Sequence, residues 1–190
     1  MTSPRFNHGA HEMLDVHEVL SMAVSTLNKY TMLRPMVKDS ELLDILNRQY
    51  TFIEQEYNTT LDCFRSGEDP AIPTQSYKMK QDNNFDYGLQ SKQPTAPIGS
   101  ENEINDQVIS TFMLGAMKSA ASFKTMAALE ATNPVVRRVL ADSLPNCIEM
   151  AYEISIYQNK HGYYQVPQLA EADMKIIQQA YSPAMQPVGV

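Results

Sequence analysis

Two long helix-forming stretches, separated by Asn133-Pro134, constrain the fold most strongly. Asparagine is a favoured N-cap and proline a favoured first helical residue, so this pair predicts a tight turn into a new helix. Gly162 predicts a left-handed end for that helix. We therefore predict a helical hairpin made of helices 103–131 and 134–161. Its apolar or small residues recur with helical spacing: Val108, Phe112, Gly115, Ser119, Phe123 and Met126, then Val136, Leu140, Leu144, Cys147, Ala151 and Ile154.

The N-terminal part of the chain predicts a second pair of helices. Apolar residues recur with helical spacing over 10–34 and again over 40–65. Pro35 ends the first helix because a helix does not continue cheaply through a proline, and Asp39 is a suitable N-cap for the second. The tail, 163–190, is expected to hold a short C-terminal helix.

Residues 66–102 lack helical or strand periodicity and contain several prolines and glycines. A connection of this length is characteristic of a bundle in which the second and third helices run parallel. We therefore predict an all-α fold over a single domain, 1–190: a ferritin-like four-helix bundle with one long crossover between helices 2 and 3, plus a short C-terminal helix. The crossover is expected to pack on the bundle through Ile72, Tyr77, Phe85, Tyr87 and Ile98.

Charge and composition exclude several partner classes. The formal net charge of the 190-residue chain is -7, and an acidic surface does not attract nucleic acid or an anionic membrane surface. No stretch of the sequence has the apolar length that membrane insertion needs, and no basic segment followed by an apolar run begins the chain. We therefore expect synthesis in the cytoplasm without a signal peptide, no nucleic-acid partner and no membrane insertion.

A ferritin-like bundle raises the question of a di-iron site, which needs Glu-x-x-His on two helices. None of the four histidines lies inside the second or fourth helix, since His161 stands at the very end of the fourth. The corresponding positions read Glu54-x-x-Tyr57, Glu149-x-x-Tyr152 and Glu153-x-x-Ile156. Tyrosine does not replace a neutral nitrogen ligand. We expect no cofactor and no enzymatic activity; a ferritin-like metal-binding protein or oxidase with a non-standard site is the alternative.

Metal-ligand residue types crowd together only near the start of the first helix. His11, Asp15 and Glu18 share one helical face at i, i+4 and i+7, so they are weak candidates for a surface metal site. Carboxylates in the first turns of a helix also offset its dipole. We prefer this structural role to a metal site.

Glu130 falls on the predicted apolar face of its helix, near the hairpin turn. A carboxylate in such a position needs a partner, and Arg137 lies one turn into the next helix. We predict a structural ion pair between Glu130 and Arg137 that fixes the register of the hairpin. A catalytic acid is the alternative, but no second carboxylate, nucleophile or base is expected nearby.

An ordered set of residues resembles the Coat F family, the bacterial spore coat proteins of the CotF type. The set comprises Asp106, Lys118, Glu130, Asn133-Pro134, Arg137, Gly162-Tyr163-Tyr164 and Pro167, and more loosely His11-Glu12 and Asp39-x-Glu41-Leu42. The resemblance implies a ferritin-like bundle that is a structural component of the spore coat or a similar spore-associated protein. It implies no catalytic residues.

Three functional hypotheses follow. The first is a structural protein of coat assembly that contacts other coat proteins and possibly itself, with Tyr163 and Tyr164 as candidate contacts. Those tyrosines have an alternative role, which is to seal one end of the bundle. The second hypothesis is a metal-dependent enzyme of the ferritin kind. The third is a small-ligand binder, whose pocket between the helices or under the crossover would be a large apolar cavity with a few polar groups.

Overall fold

Five α-helices account for most of residues 7–184, the part of the chain that the computed structural model describes. No β-strand occurs in this range, and one isolated bridge joins Tyr87 to Val166. The fold is therefore all-helical. The helices are α1 (Ala10–Leu33), α2 (Ser40–Ser66), α3 (Asp106–Glu130), α4 (Pro134–Lys160) and α5 (Glu171–Gln178), with single 3₁₀ turns at Arg34–Met36 and Glu101–Glu103.

The sequence signals at the helix ends correspond to specific hydrogen bonds. The Asn133 side chain accepts hydrogen bonds from the amides of Val135 and Val136, at 2.9 and 3.1 Å, and Pro134 is the first residue of α4. Asp39 caps α2 in the same way. Gly162 follows α4 with φ of 65°, a left-handed conformation that glycine adopts at little cost.

Helices α2 and α3 run in the same direction. The amide of Lys38, just before α2, donates to Asp106 at the start of α3 over 2.9 Å. At the opposite end, the carbonyl of Gly67, just after α2, accepts from the Asn133 side chain beyond the end of α3. Helix α1 packs against α2 and α3, and α4 also packs against both. Consequently α2 and α3 occupy a diagonal, and the chain between them travels the full length of the four long helices.

We call that connection, residues 67–105, the crossover. It runs beside α2 and α4, and of the five apolar residues expected to pack there Tyr77 is buried and Phe85 is half-buried. Ile72, Tyr87 and Ile98 are instead exposed. The attachment of the crossover depends mainly on polar side chains of α4, which are described below.

The face of α3 predicted to be buried is largely exposed, which corrects the sequence analysis. Phe112 and Met126 are 53% and 60% exposed. The buried side instead carries Ile109, Met113 and Met117. Helix α3 has few charged residues and is apolar or small nearly all round. Helical periodicity therefore admits more than one face, and only packing against α1 and α4 distinguishes them.

The core consists of two apolar clusters stacked along the helices. One contains Tyr30, Leu46 and Met150, and the other contains Val16, Cys63 and Leu140. Both cysteines are buried free thiols. Within the described range no helix is long and apolar enough to cross a membrane.

Candidate functional site

The interior of the protein contains three buried carboxylates, and each binds a different part of the chain. They belong to Glu12 on α1, Glu56 on α2 and Glu153 on α4, with exposed fractions of 0%, 7% and 0%. An ionised carboxylate is costly to bury unless charges or hydrogen bonds compensate it. The partners of each carboxylate therefore show what it does.

Glu12 holds the turn between α3 and α4. Its Oε2 accepts hydrogen bonds from the amide and hydroxyl of Thr132, at 2.8 and 2.7 Å, and from the amide of Asn133, at 2.9 Å. Its Oε1 lies 2.6 Å from Nδ1 of His8. The start of α1 is thereby joined to a turn about 120 residues later in the chain, next to the cap of α4.

These donors determine the charge state of Glu12. Burial alone would raise the pKa of this carboxyl group, but the hydrogen bonds from Asn133, His8 and Thr132 lower it below the usual value of 4.5. The lowering effect prevails because four hydrogen bonds favour the ionised form. Glu12 is therefore a carboxylate at neutral pH and a structural acceptor for the turn.

The ion pair predicted between Glu130 and Arg137 is not formed. Both residues are exposed, and in residues 7–184 no salt bridge joins them. The prediction was wrong because Glu130 lies on the outward side of α3, where water solvates its charge. The carboxylate that fixes the hairpin turn comes from α1 instead, and it is Glu12.

Glu56 forms a buried ion pair across the helices. Lys124 Nζ on α3 donates to Glu56 Oε2 over 2.9 Å, and the Asn146 side chain on α4 donates to Glu56 Oε1 over 2.7 Å. Burial favours a lower pKa for Lys124, but the Glu56 charge and the nearby Cys147 together raise it, so the lysine stays charged. This pair joins α2 and α3, the two diagonal helices.

Glu153 is surrounded by donors from two elements, α2 and the crossover. Its carboxylate accepts from Arg48 over 2.7 Å and from Gln49 over 3.1 Å, both on α2. It also accepts from the hydroxyl of Tyr77 and from the amide of Lys80, both in the crossover. Burial and the adjacent Glu153 carboxylate raise the pKa of Tyr77, so its hydroxyl remains a protonated donor.

Asn146 and Asn159 complete the attachment of the crossover to α4. Asn146 accepts from the amide of Tyr77 and donates to the carbonyl of Gln75, both over 2.8 Å. Asn159 accepts from the amide of Asp86 over 2.7 Å and donates to its carbonyl over 3.0 Å. Each asparagine thus provides the hydrogen bonds that a neighbouring strand would otherwise give to extended backbone. These side chains hold the crossover in place, although its regular structure is limited to the 3₁₀ turn Glu101–Glu103 and the bridge at Tyr87.

Sequence reasoning missed all three carboxylate centres. For the centres of Glu56 and Glu153 a signal was present on α4, where Asn146, Glu153 and Asn159 interrupt an otherwise helical apolar pattern at intervals of seven and six residues. The interval of seven places Asn146 and Glu153 on one side of the helix, whereas Asn159 is turned from them by roughly 120°. The pattern alone could not identify their partners on α2 and in the crossover, which lie 69 to 105 residues away in the sequence.

An interior cavity of about 30 Å³ adjoins the Glu56–Lys124 pair. Apolar side chains of α1, α2 and α3 form most of its wall. One buried water molecule needs a cavity of roughly 10–15 Å³, whereas pockets for small organic ligands typically have volumes of several hundred Å³. The cavity therefore has room for a few water molecules and does not fit the large apolar cavity of the ligand-binding hypothesis.

The candidate metal ligands of α1 are not brought together into a site. His11 and Glu18 are exposed and Asp15 is half-buried. In the described part of the chain no group of three His, Cys, Asp or Glu side chains is arranged to hold a metal ion. The buried carboxylates Glu56 and Glu153 have cationic protein side chains as partners.

Tyr163 and Tyr164 differ in their surroundings. Tyr163 packs against the rings of Tyr157 and His161, with centroids 6.3 and 5.6 Å apart. Tyr164 is 44% exposed, and Lys118 Nζ lies 5.9 Å from its ring centroid. Tyr163 thus closes the end of the core, while Tyr164 remains accessible.

Comparison with known proteins gives two related matches. Residues 105–167, which span α3, α4 and the start of the tail, match the family model of the Coat F domain. The chain is 52% identical over 176 residues to a Bacillus subtilis (strain 168) protein named "Spore coat protein F-like protein YhcQ". That alignment covers 93% of this chain and 81% of the relative. No solved structure matches the chain.

Proposed function

This chain belongs to the Coat F family of spore coat proteins, and from that premise we propose that it is a structural, non-catalytic component that acts in assembly of the spore coat. The observation that carries the proposal is the chemistry of the interior. Its three buried carboxylates bind the hairpin turn, a lysine and the crossover. Each of these contacts joins separate parts of the chain, which is the requirement for a rigid building block.

The proposed fold is a ferritin-like four-helix bundle. Its support is the parallel course of α2 and α3, the diagonal that they occupy, and the crossover that spans the full length of the helices. One long connection of this kind between the second and third helices is characteristic of that topology. In this proposal the bundle serves as a scaffold, and the Lys124–Glu56 pair occupies its interior.

The proposed partners are other coat proteins and further copies of this chain. Exposed large apolar side chains on α1, α3 and the tail support contacts of this kind. Tyr164 is a candidate contact because its ring is accessible. The net charge of -7 supports the absence of a nucleic-acid partner. The proposed location is the spore coat.

Extraction of purified spores tests the proposal. Spores that produce the protein with an epitope tag are stripped of coat with alkaline detergent and reductant, and the coat extract and the remaining spore interior are probed separately. We expect the protein in the coat extract. A protein found only in the spore interior or only in the mother-cell lysate would refute a coat function.

A further inference from the structure

The outward side of α3 carries a regular seam of apolar and small residues. We use the name α3 seam for six residues at alternating intervals of three and four: Phe112, Gly115, Ser119, Ser122, Met126 and Leu129. This alternation is the pattern of positions a and d in a coiled coil, where one helix packs along another. Residues Met113 and Met117 lie on the opposite side of the helix and are buried in the core of the protein.

Five of the six residues of the α3 seam are exposed to solvent, and Ser119 is half-buried. Phe112, Met126 and Leu129 are 53%, 60% and 80% exposed. A Cβ added to Gly115 would meet no neighbouring atom within 4 Å, so the helix surface there is free for close approach. The seam extends over 18 residues, from Phe112 to Leu129, and the two ends are about 26 Å apart along the helix.

Charge is absent from the α3 seam itself. The charged residues of α3 are Asp106, Lys118, Lys124 and Glu130. Lys124 is buried in its pair with Glu56, and Lys118 lies near the ring of Tyr164 at the side of the seam. A surface of this kind favours a helical partner with an equally apolar stripe.

The order of residues in the α3 seam makes it complementary to itself. When two copies of α3 pair in opposite directions about a centre between Ser119 and Ser122, positions equally distant from that centre meet. Gly115 then faces Met126 of the second copy, so a long flexible side chain fills the space at a glycine. Phe112 faces Leu129 of the second copy, and Ser119 faces Ser122, where the hydroxyl groups can form hydrogen bonds.

We infer that two copies of this chain associate through antiparallel pairing of their α3 seams. In a two-fold symmetric interface, a residue i that contacts residue j of the second copy is itself matched by j contacting i. The three residue pairs of the α3 seam satisfy this requirement. The inference deepens the proposed assembly function by naming its self-contact. A single helix pair buries a total surface area at the low end of the range for protein interfaces, roughly 1,200 Å² or less. We therefore expect a dissociation constant in the micromolar rather than the nanomolar range.

Sedimentation velocity on the full chain provides the first test. The wild-type protein should dimerise in the micromolar range, and Met126→Glu should weaken dimerisation at least about tenfold, because it places two charges in the apolar interface. The matched control is Ile72→Glu, since Ile72 is 56% exposed and lies in the crossover beside α2, away from α3. The control should dimerise like the wild type. Both substitutions are at exposed positions, so circular dichroism should show unchanged helix content.

Oxidative cross-linking tests the antiparallel register. Gly115→Cys and Met126→Cys are prepared as separate proteins, mixed and oxidised; a cross-linked dimer should form in the mixture and not in either protein alone. The native cysteines are buried and should not react, which the wild-type protein verifies. Cross-linking of Gly115→Cys with itself would show a parallel pairing and overturn the inference, and so would the absence of any cross-link.

The remaining outcomes separate this inference from the proposed function. The inference that two copies pair through the α3 seam is overturned if the wild-type protein stays monomeric throughout the micromolar range. It is also overturned if the Met126→Glu variant dimerises like the wild type. An equal loss in Ile72→Glu also overturns it. If the wild-type protein is nevertheless found in the coat extract, the coat function stands and only the self-contact fails. If the protein dimerises as expected but is missing from the coat extract, the coat function fails and the seam stands.

Discussion

Replacing Glu12 with glutamine isolates the contribution of the carboxylate that holds the α3–α4 turn. The side chain keeps its size, and one amide oxygen can still face Thr132 and Asn133, but the negative charge is lost. The net contribution of a hydrogen bond to stability is about 1.5–3 kcal/mol when the acceptor is charged and about 0.5–1.5 kcal/mol when both groups are neutral. Three donors meet Oε2, so we expect Glu12→Gln to lower the free energy of unfolding by about 2–4 kcal/mol.

Urea unfolding followed by circular dichroism measures this loss. The matched control is Glu130→Gln, which changes the other carboxylate near the same turn. Glu130 is exposed and has no salt bridge in the described part of the chain, so its substitution should change the free energy of unfolding by no more than about 0.5 kcal/mol. Equal losses for Glu12→Gln and Glu130→Gln would refute the assignment of the turn to Glu12.

The pH dependence of the difference provides a second check. Because the pKa of Glu12 is lower in the folded protein than its usual value of 4.5, its stabilising contribution is fully present above that value. It is lost as the pH falls through the lowered folded pKa. The stability difference between wild type and Glu12→Gln should therefore be constant near neutral pH and shrink in acid below 4.5. A difference that grows in acid would contradict the lowered pKa.

Three further predictions concern the other two carboxylate centres and a pair of glycines. Lys124→Met leaves Glu56 buried without its cation and should lower the free energy of unfolding by about 3–5 kcal/mol, while Lys124→Met combined with Glu56→Met should recover most of the loss in urea titrations. Tyr77→Phe removes the hydroxyl that donates to the Glu153 carboxylate. The free energy of local opening in the crossover should fall by about 1–2 kcal/mol. Amides of the crossover should therefore exchange hydrogen faster, while the exchange of α1 amides should not change. Gly162→Ala should destabilise the protein by about 1–2 kcal/mol because the φ of Gly162 is positive. Gly115→Ala, in the middle of α3, should instead stabilise it by about 0.5–1 kcal/mol. Thermal unfolding at low protein concentration should show a lower melting temperature for the first variant and a higher one for the second.

Local signals made parts of the fold predictable. The Asn133-Pro134 pair specifies a helix start through two amides that are only two and three residues away. The left-handed conformation at Gly162 likewise depends on that residue and its helix. Signals of this kind act within one turn of the chain, so a single sequence contains nearly all the information that they need.

The buried face of α3 could not be read from the sequence because apolar or small residues recur on two sides of the helix, and the buried side even includes Lys124. The side with Phe112 and Gly115 has the apolar spacing expected of a core, and so does the side with Ile109 and Met113. Packing against α1 and α4 selects the second side. If the α3 seam is an interface, the sequence pattern was a true signal of burial, but burial between two copies rather than within one.

The ionic centres were unpredictable for a different reason. Glu12 and Glu130 both lie near the hairpin turn, but only their three-dimensional positions decide which carboxylate is enclosed by donors. The partners of Glu12 are about 120 residues away, and Lys124 lies 68 residues from Glu56. Pairings over such distances depend on the completed packing of the helices and leave no short-range pattern.

Immunogold labelling of thin sections of mature spores tests the central claim most directly, because it locates the protein without extracting it. Spores carrying an epitope-tagged chain are compared with spores that carry the untagged chain. The proposed coat function predicts gold particles concentrated over the coat layers in the tagged spores alone. Labelling confined to the spore interior, at a density over the coat no greater than in the untagged spores, would contradict it.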